Sequence, residues 1–223
     1  MPLNPTSKVT TQGNNRLVTA PAQEPVDIVL LKSQLRITNS AEDAYLAGIL
    51  IDARKFIEVL TGLAFITQSW KVTMNTWPHG PTQWWDGVRE TALGELYGEA
   101  QDVVLPAYPL QSITSVTTYD EADAGTVAEL SLFFANTTAY PGKMTLRGGG
   151  SWPTATRLYN AVEIVYVAGF GDNPTDVDSL AQRAIILMAA YLYQHRGDGC
   201  EPLYAYRKSG AAELLSEYTK ARI

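Results

Sequence analysis

Few side chains in this chain stand at a spacing that could carry chemistry. His79 and His195 are far apart, and neither has a cysteine or an acid at metal-ligand spacing. A lone histidine also needs a positioned partner before it can act as acid or base. His195 closes a helical pattern, where it complements the helix dipole. Cys200 is the single cysteine, which excludes an internal disulfide and any Cys-rich zinc site. The run Gly148-Gly149-Gly150 lacks the Lys-Ser/Thr of a phosphate loop, and no helical pattern follows it, so it reads as a turn. Gly169 and Gly171 follow a strand pattern, but the third glycine of a dinucleotide fingerprint is missing. Asp120, Glu121 and Asp123 cluster without the ligand spacing of an EF-hand and read as a solvated turn. The sequence offers no catalytic, cofactor-binding or metal-binding set.

The stretch 77–101 is the one rival feature. Trp77, Trp84, Trp85 and Tyr97 crowd it, with Asp86 beside the tryptophans. Loops of this length are usually functional or mobile. Its aromatics could stack on a sugar, form an interface hot spot, or cover the sheet of their own subunit. On sequence all three stay open.

Those residues have to be carried by some set of elements, and 223 residues suffice to bury a real core. Charged residues make up 18% of the chain and hydrophobic ones 46%, the balance of an ordinary soluble domain. A formal net charge of −6 argues against a protein that grips nucleic acid through its phosphates. No apolar run approaches the ~20 residues of a membrane span, and no charged-then-apolar signal segment opens the sequence. The expectation is a chain made in a reducing compartment, with no membrane partner.

Residues 1–24 are rich in Pro, Thr, Asn and Gln, and on their own should form a flexible arm. Asp27 caps a short helix over 27–37, with Ile28, Leu31 and Leu35 on its inner face. Ser40 is the expected N-cap of a second helix over 41–61, striped by Leu46, Ile49, Leu50, Ala53, Ile57 and Leu60 and closed by Gly62. Short strands are expected within 65–168: from Phe65 to Met74, over 103–106, 110–119, 130–134 and 144–147, and from Val162. A long helix over 178–196 follows, started by Thr175 and Asp178 and striped by Leu180, Ala184, Leu187, Met188 and Tyr191. A tail over 201–223 regains helical spacing from Ala211. The expected class is α+β: a helical bundle of the two N-terminal helices and the long C-terminal one, with a small antiparallel β region inserted between them. The expected organisation is an arm (1–24), a main domain (25–200) and a tail (201–223).

Several motifs, taken in order, resemble a known family. They are Leu31-Lys32-Ser33-Gln34-Leu35-Arg36-Ile37, Glu42-Asp43-Ala44-Tyr45-Leu46 and Glu58-Val59-Leu60-Thr61-Gly62. Trp70 follows, then Leu105-Pro106-Ala107-Tyr108-Pro109-Leu110 with Ile113, Val116 and Tyr119. Trp152-Pro153, Val165-Tyr166-Val167-Ala168-Gly169-Phe170-Gly171 and Tyr191-Leu192-Tyr193-Gln194-His195-Arg196 complete the series. From about Pro25 to Gly197 this order resembles the head–tail connector, or adaptor, proteins of tailed phages and of phage-derived gene transfer agents. The polar arm and the Trp-rich insertion depart from the pattern.

The resemblance implies no enzyme and no cofactor. It implies a structural protein of the virion or phage-like particle, made in the bacterial cytoplasm. Such proteins form a ring, usually of twelve copies, beneath the portal protein. They extend the channel through which double-stranded DNA passes without specific binding, and dock a stopper or tail-completion protein. A ring repeats one heterologous contact, so each subunit needs two different adhesive faces. The tail resembles the terminal extension that embraces the portal, which makes Leu203, Tyr204, Tyr206, Tyr218 and Ile223 expected partner anchors, with Trp77, Trp84 and Trp85 as further interface residues. The alternative is a small acidic carbohydrate-binding or hydrolytic domain using the Trp-rich loop. A glycosidase would need two acids held on neighbouring rigid strands, and the sequence places no such pair.

Overall fold

Apolar residues at helical spacing in two stretches near the start and one near the end, separated by alternating segments, sort the chain into two kinds of core. The computed structural model describes residues 14–78, 102–148, 150–197 and 201–220, the side chains of 219 and 220 excepted. Its helices are α1 (Ile28–Leu35), α2 (Asp43–Thr61), α3 (Ser179–Gln194), α4 (Pro202–Lys208), α5 (Ala211–Leu214) and α6 (Ser216–Lys220). Its strands are β1 (Asn14–Thr19), β2 (Gln68–Met74), β3 (Val103–Leu105), β4 (Leu110–Tyr119), β5 (Gly125–Val127), β6 (Phe133–Asn136), β7 (Gly142–Leu146) and β8 (Val162–Ala168).

The expected helical bundle with a small β insert is overturned. β1-β2-β8-β4-β5 form one antiparallel sheet and β3-β7-β6 a second. Val72, Val116, Ile164 and Tyr166 of the first sheet share a buried core with Leu105, Phe133 and Met144 of the second. The helices close a separate core, in which Leu46, Ala53 and Ile57 of α2 meet Ala184, Ile185 and Met188 of α3. Leu63, Phe65, Ile66 and Tyr108, in the segments leading into β2 and β4, belong to the helical core and join it to the sheets. Two cores of comparable weight therefore make an α+β fold with segregated layers. β5 has three residues, too few for a periodic signal, and the division of the strands into two sheets is set by pairings between segments far apart in the chain.

The arm also differs from expectation. Asn14–Thr19 is an edge strand paired antiparallel with β2, from Asn14 opposite Thr73 to Thr19 opposite Ser69. Its residues are mostly exposed, so no apolar alternation marks it, and main-chain hydrogen bonds to β2 hold it. Asn15 Oδ1 accepts from the buried Tyr166 hydroxyl at 3.0 Å and adds one side-chain tie.

Local signals for the helices hold with small shifts. Asp27 accepts from Val29 N at 2.9 Å and caps α1. Gly62, at φ 82°, closes α2, with its N–H donating to Glu58 O at 2.8 Å. Ser40 is not the N-cap of α2. The helix starts at Asp43, and Glu42 holds the cap position while its side chain reaches α3 instead. The start of α3 is split likewise: Asp178 caps the helix, whereas Asn173 and Asp176 make a capping box across the preceding turn. The strand expected over 130–134 is a short 3-10 turn, Leu130–Leu132, leading into β6. In β8, Val162, Ile164, Tyr166 and Ala168 point inward as the alternation predicts. Gly169 ends that strand at φ +146°, and a Cβ there would lie 2.7 Å from the Thr67 backbone.

Candidate functional site

The tail is built from three short helices, and their spacing of small and aromatic residues turns it back onto the body. Ala205 and Tyr206 of α4, Ala211 of α5 and Leu215 are buried in the helical core. Tyr218 of α6 donates from its hydroxyl to Asp178 Oδ2 at 2.9 Å, and its ring meets Phe170 edge-on at 5.8 Å. The buried Tyr108 hydroxyl is shared between Thr61 O at 2.8 Å and Tyr218 O at 3.3 Å, so it ties α2 to the tail. Burial, followed by the hydrogen bond to Asp178, pushes the Tyr218 phenol up to about 12. Burial and the neighbouring Tyr108 and Glu213 raise Tyr206 to about 12 as well, and its hydroxyl has no hydrogen-bond partner among the described residues.

Of the expected anchors, the structure thus separates two groups. Leu203 and Tyr204 are 39% and 52% exposed, with the Lys208 ammonium 5.6 Å from the Tyr204 ring centre. Tyr206 and Tyr218 face the body of their own subunit. Ile223 lies outside the described residues, as do Trp84, Trp85, His79 and Cys200. Trp77 is described and buried: it stacks on Trp152 at 4.4 Å, flanks Phe133 at 6.3 Å and donates from Nε1 to Pro153 O at 2.8 Å. Those contacts place it in the cover of its own sheets, the third of its readings on sequence.

Polar groups fasten Glu24, ahead of α1, to the helical side. Arg54 donates from Nε to Glu24 Oε2 at 2.7 Å and from Nη1 to Glu58 Oε2 at 2.6 Å. Glu58 Oε1 accepts from Gln68 Nε2 at 2.6 Å and from Phe65 N at 3.3 Å. The set links the end of the arm, through α2, to the start of β2. Burial pushes the Glu58 carboxyl above the usual glutamate range, against the pull of Arg54. Desolvation works against the Arg54 charge, and the hydrogen bond to Glu24 and the charge of Glu58 outweigh it. The Arg54–Glu58 pair has the i,i+4 spacing that sequence can show; Glu24 joins only through the fold.

At the far end of α3, Tyr193 donates to Glu42 Oε2 and Arg196 Nη1 lies 3.2 Å from Glu42 Oε1. The Tyr193 hydrogen bond, then Arg196, hold the Glu42 carboxyl below the usual glutamate range. His195 Nδ1 lies 2.9 Å from Tyr191 O at the C-terminus of α3, the place where a histidine complements the helix end. No group of three or more His, Cys, Asp or Glu among the described residues is placed to hold a metal ion. Among those residues no helix is long and apolar enough to cross a membrane.

No protein-family model and no curated protein matches the chain. Solved structures do share its fold. The neck of an empty GTA particle, computed with C6 symmetry, is 21% identical, with a TM-score of 0.67 over 88% of this chain and 94% of that one. The virion of a native gene transfer agent particle is also 21% identical, with a TM-score of 0.63 over 87% and 93%. The neck of the native GTA particle computed with C12 symmetry gives 21% identity and 0.63 over 88% and 94%. At this identity the likeness shows a shared fold, spanning nearly the whole of both chains.

Proposed function

We propose that this chain is a structural head–tail connector, an adaptor subunit of a tailed phage or gene-transfer-agent-like particle. Copies form a ring beneath the portal, extend the DNA channel and present a surface to the stopper or tail. The observation that carries the reading is the near-complete match in fold to chains of GTA particle necks and virion. That two of those necks were computed with C6 and C12 symmetry supports a ring. The motif order from Pro25 to Gly197 points the same way. An acidic subunit of net charge −6 suits a channel wall that DNA slides past, because few cations means few counterion-releasing contacts.

Within this reading Leu203 and Tyr204, with Ile223, are anchors for the portal, while Tyr206 and Tyr218 dock the tail against its own subunit. Removing 201–223 as a block would therefore strip Ala205, Tyr206, Ala211 and Leu215 from the helical core. Point changes are the sharper probe. Particles are purified from producer cells carrying either the wild-type chain or Leu203→Ser with Tyr204→Ser, and the chain is quantified and located by labelling. The expected result is wild-type chain at the neck in a fixed ratio to portal, with the double variant folded but depleted at least tenfold. Wild-type chain missing from the particles would sink the connector reading; normal incorporation of the variant would sink the anchor assignment alone.

A further inference from the structure

Leu158 and Tyr159 form a rigid apolar knob at one tip of the molecule. Thr156 N and Arg157 N both donate to Tyr119 O, at 3.1 and 3.2 Å, and Asn160 N donates to Asn75 Oδ1 at 2.9 Å. The Arg157 guanidinium lies 4.1 Å from the Tyr119 ring centre, while Nε donates to Tyr159 O at 2.8 Å and Nη2 donates to Asn160 O. All of this fixes the backbone, yet the Leu158 and Tyr159 side chains are 75% and 68% exposed. Isolated exposed apolar residues are ordinary. A pair held out on a braced loop has little ordering entropy left to lose on binding, which is the mark of a preorganised contact. The adjoining turn carries Asp120, Glu121 and Asp123 against the one guanidinium of Arg157, so the tip is net negative.

At the opposite end of β4 a groove of about 260 Å³ opens between the two sheets. Ile113, Leu130 and Phe134 give it apolar walls. Leu130 and Phe134 remain 42% and 46% exposed. Arg147 stands at its rim, with its guanidinium 5.4 Å from the Phe134 ring centre and Nε donating to Phe133 O at 2.8 Å. Among the described residues Arg147 has no carboxylate partner, and its charge is opposite to that of the tip.

We propose that the Leu158–Tyr159 knob of one copy inserts into this inter-sheet groove of a second copy, with Arg147 facing the acidic turn beside the knob. The proposal rests on the ring reading above and names its subunit contact. From Ser112 to Tyr119 β4 advances seven steps, about 23 Å at ~3.3 Å per residue, so knob and groove of one subunit cannot meet. A contact between two different patches is heterologous, and repeats head to tail until it closes. Sheet continuation, the other way to join such subunits, is blunted at both edges of the larger sheet. β1 carries a register shift between Leu17 and Thr19 and the charge of Arg16, and β5 has three residues.

The test is cross-linking of the full chain in a Cys200→Ser background. Leu158→Cys with Leu130→Cys on one chain should yield, with a short bis-maleimide, a ladder of covalent multimers up to the mass of the ring. The two single variants mixed should stop at dimers, and each alone should give none. Leu158→Ser with Tyr159→Ser should lower the ring fraction at least tenfold at unchanged melting temperature, because both side chains are exposed. Particles and concentrated chain are weighed in parallel. Rings present without a ladder overturn the knob-and-groove contact and leave the connector standing; a knob cysteine cross-linked to another particle protein does the same and assigns the knob to that partner. No ring in either preparation overturns both.

Discussion

The helical half and the two-sheet half of this chain both close on apolar cores, and differ in the buried Arg54–Glu58 pair that the helical half adds. On the helical side, Glu24, Arg54, Glu58 and Gln68 meet through charge-assisted hydrogen bonds at largely buried positions, and Tyr108, Asp178 and Tyr218 join the body to the tail. On the sheet side the contacts are mostly apolar, with Trp77, Trp152 and Phe133 stacked and Val72, Val116, Ile164 and Met144 beneath them. Apolar burial is graded and forgiving, whereas a buried charge that loses its partner is left uncompensated. The helical half is thus where Glu24 and the tail are fastened, while β1 pairs along the edge of the larger sheet. The sheet half leaves Leu158 and Tyr159 at its tip, and Leu130 and Phe134 at its groove, exposed.

The largest effect should come from the ionic set. Arg54→Met leaves Glu24 and Glu58 facing each other without a cation and should cost about 3–5 kcal/mol in urea unfolding. A cost below that of a single methyl deletion in the sheets would break the contrast between the halves. Ile164→Val is that deletion, and at a fully buried site it should cost about 1 kcal/mol with the fold retained. Tyr218→Phe removes one partly exposed hydrogen bond to Asp178 and should cost about 1 kcal/mol. Hydrogen exchange should place that loss in 201–220 and leave the sheets unchanged; uniform loosening would show that the tail is not a separate fastening.

Acid response sharpens the same comparison on a smaller scale. Glu42 has a folded-state pKa below its unfolded value, so its contribution is present at neutral pH and is lost as pH falls through the depressed value. Glu58 is raised, so its contribution has the opposite sign and is lost as pH rises from its unfolded value through the raised one. Melting of Glu42→Gln, followed from pH about 6 to about 3, should show a shallower acid-side slope than wild type, with the two curves converging at the acid end. An unchanged slope would show that Tyr193 and Arg196 do not hold that carboxylate in solution. Smallest of all, Leu203→Ser with Tyr204→Ser should move stability by under about 0.5 kcal/mol, since both side chains are exposed.

Much of the helical side was legible because its signals are local. Asp27, Gly62 and the apolar stripe of α2 act within a few residues of chain, through caps and 3.6-residue periodicity. In α3 the expected stripe is buried only at Ala184 and Met188, since Leu180 is exposed and Ala181, Ile185 and Ala189 face the core instead. β2 and β8, long enough to alternate, were legible for the same reason. The family motifs also mark real junctions: Trp152-Pro153 supplies both the stacking ring and the carbonyl that hold Trp77. Only the tertiary structure could decide the rest. Polar β1 is a strand because β2 lies beside it, and Ser40 loses the cap of α2 to Glu42, whose carboxylate meets Tyr193 and Arg196 from the other end of the chain. The tail turns inward because Ala205, Tyr206, Ala211 and Leu215 find a core already formed. The order of helices and longer strands belongs to the sequence. The second core, the ties of Glu24 and of the tail to the helical side, and the brace beneath Leu158 and Tyr159 depend on contacts between residues far apart in the chain, which no local pattern encodes.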